Sequence, residues 1–398
     1  MCVMLSKERD QGALVEVITY WVFWIIYTRA WMVLHVLPGD AEKTQRKLHA
    51  KYGPVVSIVP NELVTSDPDA RRRIVSHVYT MTSILQSEKY IDRCIEVWLE
   101  KLGEMADRGE SFDLWIWTRM YAYDVIGELY FGKMFGFLQA GGDHLGYIDA
   151  TDDLVSVQFL AGNMPTYVRG LFMLTGILFP KSQKGSSESD SNPKPQRQDE
   201  LDFVLDNIKM ESFGGFFAGS ETTALTLSGI LYHILRTPSV YTKLTAEIDA
   251  AVQSNQLSAH TAYNEAVKLP YLTACINEGI RMHAIIPRHS PLCGCVNPGV
   301  IHFDKSVFGE DADVFRPERW IESEAEASRM DRFIMQFGMG SRTCLGENIS
   351  MCEIYKAIPE LLKLYTFEIA RDEEMNMTSY WLHKPVAIDV NVHTVDGL

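Results

Sequence analysis

The sequence predicts one mainly α domain with a small β region, and three observations carry that expectation. Apolar residues recur at spacings of three and four over long stretches, as in Ile84, Tyr90, Ile91, Ile95 and Leu99. Short β-branched runs lie on either side of Pro60-Asn61, the pattern of a hairpin. A Gly-rich loop with a single cysteine, Phe337-Gly-Met-Gly-Ser-Arg-Thr-Cys344-Leu-Gly346, opens a last helical pattern that runs to about Leu364. The 398 residues are 46% hydrophobic, ample for a large core. A net charge of −15 argues against a global nucleic-acid-binding surface. The seven cysteines show no even spacing, which fits reduced thiols and a cytosol-facing body.

Taken in order, residues 1–40 read as a membrane anchor and hinge. The apolar run Val17–Thr28 is shorter than the ~20 residues that a spanning helix wants. Trp21, Trp24, Trp31, Tyr20 and Tyr27 suit a membrane interface, and Leu37-Pro-Gly-Asp40 then turns the chain. A buried amphipathic helix is the blander alternative. Residues 51–60 and 62–66 form the expected hairpin, and Arg71-Arg72-Arg73 starts a helix. Residues 84–136 read as helical throughout, with Phe112–Phe131 as a core helix. Residues 155–179 are apolar again but interrupted by Gly162, Pro165, Gly170 and Gly176. Residues 181–200 contain no apolar side chain and read as a disordered loop inside one domain. Helices follow at about 203–235 and 269–283. Pro287, Pro291 and Pro298 leave little room for a paired strand. Cys293-x-Cys295 with His283 and His289 is a weak zinc pattern.

Three constellations carry chemistry. Cys344 sits just ahead of a helix, where unpaired N–H groups and the macrodipole favour a thiolate. Such a thiolate is a good axial ligand for haem iron, and Arg342 is placed to pair with a haem propionate. A buried structural cysteine is the blander reading. In the long helix, Ala218-Gly219-Ser220-Glu221-Thr222-Thr223 combines a mid-helix glycine with a threonine able to bond the Ala218 carbonyl. Together these could open a groove for a diatomic ligand, with Thr222 and Glu221 relaying protons; a Ser/Thr cluster at a helix break is the alternative. Glu278 and Arg281 share a helix face three residues apart, ordinarily an exposed pair.

Phe337, Gly340, Arg342, Cys344 and Gly346 match the signature F-x-x-G-x-R-x-C-x-G without a departure, and the 218–223 run matches A/G-G-x-D/E-T-T/S. By these motifs the chain resembles the cytochrome P450 family of haem-thiolate monooxygenases. Tyr52-Gly-Pro, Asp124-Val-Ile-Gly-Glu128, Leu269-Pro-Tyr271 and Phe308-Gly-Glu-Asp-Ala312 resemble fungal microsomal members, and in flavour the pisatin demethylase-like group. The resemblance implies a cytochrome P450-like fold holding haem b through Cys344, the metal ligand. Phe337, Gly338, Gly346, Ala218 and Gly219 would line the haem, with Arg342 and Arg72 as propionate partners. It implies a buried structural triad of Glu278, Arg281 and Arg319, the last from Phe315-Arg-Pro-Glu-Arg319-Trp. It further implies electrons from NADPH-cytochrome P450 reductase, O2 and a small apolar substrate as co-reactants, and anchorage in the endoplasmic reticulum membrane with the catalytic domain facing the cytosol.

The chain departs from the family pattern in three places. Little stands between Ser66 and Arg71, between Met173 and Phe203, or between His283 and His302, so the B–C, F–G and post-K-helix regions are depleted. The depletions keep a second reading open, a haem-binding remnant without catalysis, and haem-thiolate chemistry allows a third, an electron-independent isomerase or dehydratase. The intact Glu221-Thr222 pair argues against the latter.

Overall fold

The computed structural model describes residues 79–152, 196–286, 297–340, 343–370, 376–379 and 382–395, together with positions 47, 50 and 51 and two strands near residue 60. The expected anchor, Arg72, Arg342, most of the 181–200 loop and Cys293-x-Cys295 lie outside the described residues. Contacts divide the chain into two compact units, residues 1–77 with 164–200 and residues 78–163 with 201–398. In the first unit, β1 (Val55–Val59) and β2 (Glu62–Thr65) pair antiparallel, the hairpin expected around Pro60-Asn61.

The second unit is built mainly on helices. These are α1 (Met81–Gln86), α2 (Glu88–Arg108), α3 (Leu114–Phe131), α4 (Gln196–Arg236, entering from the first unit's residues), α5 (Pro238–Gln253), α6 (Pro270–Met282), α7 (Glu324–Asp331) and α8 (Glu347–Leu364). The stretch 84–136 is not one helical run. Gly109 takes a left-handed φ of 63° and closes α2, strand β3 (Ser111–Asp113) follows, and Asp113 caps α3 by accepting from the Trp115 amide at 3.0 Å. Phe112 thus lies in a strand, and the core helix begins at Leu114. Residues 196–200 also correct the reading of a loop, for they begin α4. Gln, Arg and Glu are good helix formers, so a polar stretch is compatible with the start of a helix.

Side-chain pairings give the helix directions. Along α3, Tyr123 and Arg119 meet Glu221, Ile126 meets Gly219 and Tyr130 meets Gly215, so α3 and α4 run antiparallel. Trp98 stacks on Tyr121 and Arg93 approaches Glu128, so α2 also opposes α3. Lys356 of α8 bonds Glu88 and Asp92 of α2 while the Tyr365 hydroxyl donates to the Leu99 carbonyl, so α8 runs with α2. Helix α3 is consequently buried all round from Thr118 to Glu128. Where α4 and α6 cross, a Cβ on Gly279 would lie 2.6 Å from Ile230 Cγ1 and 2.9 Å from its Cα. A sheet of order β3–β7–β4, with β4 at Tyr365–Ile369 and β7 at Asp389–Thr394, covers one end of α2. The hairpin β5–β6 (Met377–Ser379, His383–Pro385) stands apart from that sheet. Among the described residues no helix is long and apolar enough to cross a membrane.

Candidate functional site

The cysteine loop is closed on itself ahead of α8. The Cys344 amide donates to the Phe337 carbonyl at 2.7 Å, and the Thr343 hydroxyl donates to the Gly340 carbonyl at 2.8 Å. Gly338 and Gly340 hold φ of 72° and 71°, a region that a side chain would disfavour. Gly346 is the N-cap of α8, which places Cys344 two residues before that cap. Among the described free cysteines Cys94, Cys275 and Cys352 are buried, and Cys344 is exposed. Phe337 packs on the core and anchors the near end of the loop.

Hydroxyls on α4 turn back on their own helix. Thr222 donates to the Ala218 carbonyl at 2.6 Å, Ser220 to Phe216 at 2.8 Å, and Thr226 to Thr222 at 2.9 Å. Such bonds loosen the local ladder and bend helices. Ala218 is exposed although residues 223–232 further along are almost wholly buried. Gly219 lets α3 come close, for a Cβ there would lie 2.8 Å from Ile126 Cδ1. Gln336, beside Phe337, donates through Nε2 to the Thr226 hydroxyl at 3.0 Å, and its Oε1 accepts from Ile285. This clips the cysteine loop to α4 one turn beyond Thr222. Gln336 and Thr226 lie outside every motif, and no local pattern marks them as partners.

Glu221, beside Thr222, faces away into the bundle and is fully buried. Its Oε1 accepts from Arg119 Nε at 2.9 Å, Arg119 Nη2 at 2.7 Å and the Tyr123 hydroxyl at 2.9 Å. Its Oε2 accepts from Lys384 Nζ at 2.8 Å. Arg119 and Lys384 also bond Asp152. Burial works against the Arg119 charge, but Glu221 and Asp152 outweigh it and hold the guanidinium firmly protonated. Burial also drives the Tyr123 phenol up, helped by the Glu221 charge. The buried acid is therefore partnered, the condition under which such a group is tolerated in an apolar helix.

Glu278, Arg281 and Arg319 are brought together behind the loop. Arg281 Nε and Nη2 reach the two Glu278 oxygens at 2.9 and 2.8 Å, and Arg319 Nε reaches Oε1 at 2.9 Å. Trp320 Nε1 and the Arg316 amide fill the remaining acceptor positions on Glu278. Arg281 Nη1 donates to the His302 carbonyl at 2.6 Å, and the Met335 amide donates to His302 Nε2 at 2.9 Å. The triad thus positions Met335, two residues before Phe337. Burial pushes the His302 imidazole down to about 4, so it stays neutral and can accept that bond.

The cytochrome P450 family profile matches residues 187–293 and 295–391, more than half of the chain. The chain belongs to the cytochrome P450 family. It is 31% identical to cytochrome P450 monooxygenase gsfF of Penicillium aethiopicum, over 94% of this chain and 93% of that protein. It is 32% identical to cytochrome P450 monooxygenase ACRTS1 of Alternaria alternata, over 76% of this chain and 93% of that protein. Among solved structures, the cytochrome P450DA haem domain superposes with a TM-score of 0.61 at 15% identity, over 81% of this chain and 76% of that one. The P450 CYP102L1 gives 0.60 at 19% identity, over 81% and 80%. The matches fix the family, not the pisatin demethylase-like group within it. The gsfF alignment runs over 471 residues, more than the 398 of this chain. That relative therefore carries residues inside the aligned span that have no counterpart here, which agrees with a depleted P450.

The described residues fit a haem. An exposed thiol stands in a glycine loop, and an exposed Ala218 breaks the burial of the helix to which that loop is clipped. Cys344 would hold the iron, with Phe337, Gly338 and Gly346 on the loop side and Ala218 and Gly219 on the helix side.

Proposed function

We propose that this P450 is a monooxygenase that inserts one oxygen atom of O2 into a small apolar organic molecule. Its electrons would come from NADPH-cytochrome P450 reductase, and its N-terminus would anchor it to the endoplasmic reticulum membrane with the catalytic domain in the cytosol. Haem b, held by Cys344, supplies O2 binding and electron transfer when bound. The chain's own part is to hold the thiolate, admit a diatomic ligand at the loosened turn of α4, and meter protons. The Thr222 hydroxyl, parked on the Ala218 carbonyl at 2.6 Å, can pivot to donate outward while Thr226 and Gln336 keep the turn in place. Glu221 is the adjacent acid that restores the proton.

The observation that carries this reading is the hydrogen-bonded clip from Gln336 through Thr226 to Thr222, which joins the cysteine loop to the threonine. With reductase and O2, Thr222→Ala is expected to shift the products of NADPH oxidation from water toward hydrogen peroxide, with haem content unchanged. Unaltered peroxide yield would refute the proton role of Thr222. The remnant reading is favoured by the residues missing against gsfF, and an absence of any NADPH oxidation in a haem-replete sample would support it.

A further inference from the structure

Two phenols beside the cysteine loop have no role in the oxygen insertion proposed above. The Tyr79 and Tyr130 hydroxyls bond each other at 2.8 Å, and both side chains are half-buried. Their surroundings fix where the pair stands. Tyr130, at the end of α3, fills the space beside Gly215 of α4, where a Cβ would lie 2.9 Å from the phenol oxygen. Gly215 is three residues before Ala218 and seven before Thr222, so it shares the helix face that carries the groove. Asn348, in the first turn of α8 and four residues after Cys344, donates through Nδ2 to the Tyr79 carbonyl at 2.7 Å. The pair therefore stands between the helix side and the loop side of the haem site. On its outer side Phe131 packs against Tyr130 with ring centroids 6.5 Å apart and is 53% exposed, so the pair lies one side chain from solvent. Burial, the Tyr79 bond and the Cys344 charge all push the Tyr130 phenol above its ordinary range and keep it protonated. Such a phenol gives up an electron only together with its proton, and the Tyr79 oxygen is in place to accept that proton.

The geometry points to Tyr130, paired with Tyr79, as an electron donor to the haem site that gives the chain a second activity: reduction of hydrogen peroxide by an outside donor such as ascorbate. In each pass Tyr130 loses one electron toward the site. Its phenolic proton passes to Tyr79 Oη while the proton of Tyr79 moves on to water, which leaves a phenoxyl on Tyr130. One hydrogen atom from ascorbate restores the phenol. Two passes supply two electrons, and two protons return from water. The O–O bond of peroxide breaks, two O–H bonds form, and one peroxide and one ascorbate become two waters and one dehydroascorbate. The inference rests on haem being held by Cys344. It does not rest on oxygen insertion, so it stands for a remnant as well as for a monooxygenase.

The test uses the haem-loaded full chain and its variants Tyr130→Phe and Tyr79→Phe. Each keeps the ring, and so the packing on Gly215, and removes one hydroxyl. Hydrogen peroxide is added without reductase, the sample is frozen within seconds, and its electron paramagnetic resonance spectrum is recorded. The parent should give a phenoxyl signal that narrows when the chain is grown on ring-deuterated tyrosine. Tyr130→Phe should lose the signal, and with it the ascorbate-dependent consumption of peroxide. Tyr79→Phe should keep a radical but shift its low-field g component, which reports the hydrogen bond to the phenoxyl oxygen; a merely structural role for Tyr79 would leave that component unmoved. A signal that survives in Tyr130→Phe would place the radical elsewhere and overturn the proposal. An unshifted signal in Tyr79→Phe would also overturn it. If Tyr130→Phe does not retain haem, Tyr79→Phe alone decides. The red-shifted band of the carbon monoxide adduct separates the two levels of failure. With that band present in the parent and no radical formed, only the donor pair fails; without the band, the ligation by Cys344 fails first.

Discussion

A residue's partners set how legible it is. Thr222 bonds a carbonyl four positions back, so its contact follows from helix geometry and can be read from sequence. Glu221 takes its partners from 102 positions before and 163 after, and no local pattern announces Arg119 or Lys384. The sequence shows only that an acid stands in an apolar helix. Glu353 makes the contrast sharper, being fully buried with neither oxygen partnered among the described residues. Burial raises its carboxyl well above the ordinary 4.5, so the folded chain keeps a proton that the unfolded chain releases above that pH. Its contribution to stability is fully present below pH 4.5 and declines as pH rises, by up to about 1.4 kcal/mol per pH unit. Glu353→Gln is accordingly expected to raise Tm at pH 8 and to change it much less at pH 5. An equal shift at both pH values would mean that Glu353 ionises in the folded chain.

Element boundaries were legible where the chain carries strong punctuation. Pro270 starts α6, and the helical pattern after the cysteine loop ends at Leu364 as expected. Strand β3 was not legible, because three residues form a strand only through pairing with β7 far along the chain. The start of α4 is not legible, because a polar stretch that follows Ser and Pro reads as disorder. The α4–α6 crossing depends on glycine, which sequence spacing cannot show. Gly279→Ala gains helix propensity but drives a methyl against the Ile230 Cα, which cannot move aside. A net loss of about 1–3 kcal/mol is expected in denaturant unfolding; a stabilised variant would show that the helices can separate at no cost. The triad that ties α6 to the 317–320 turn should be costlier to break. Arg319→Leu leaves Glu278 short of a buried counter-charge and is expected to cost about 3–5 kcal/mol, with loss of haem retention. Full haem retention at parent stability would contradict its positioning role.

At the scale of the molecule, family membership was legible because the haem-loop and oxygen-groove motifs are local strings. Both lie within or beside residues 187–391 that carry the family match. The periphery around them is reduced, and the kernel holds together through buried polar links such as the Glu278 triad. Three histidines of the kernel are kept neutral by burial, His283 at about 3 and His233 and His302 at about 4. Each unfolded imidazole takes a proton below about 6.5 that the folded one refuses. Stability present above pH 6.5 should therefore fall as pH drops toward 4, and a flat Tm over that range would show the histidines to be hydrated. The central claim is that this reduced kernel still holds haem through Cys344. The most direct measurement is the visible spectrum of the expressed chain, reduced with dithionite and exposed to carbon monoxide. A strongly red-shifted Soret band, absent in Cys344→Ala, is the expected result. An unshifted band, or one that survives in Cys344→Ala, would contradict the account.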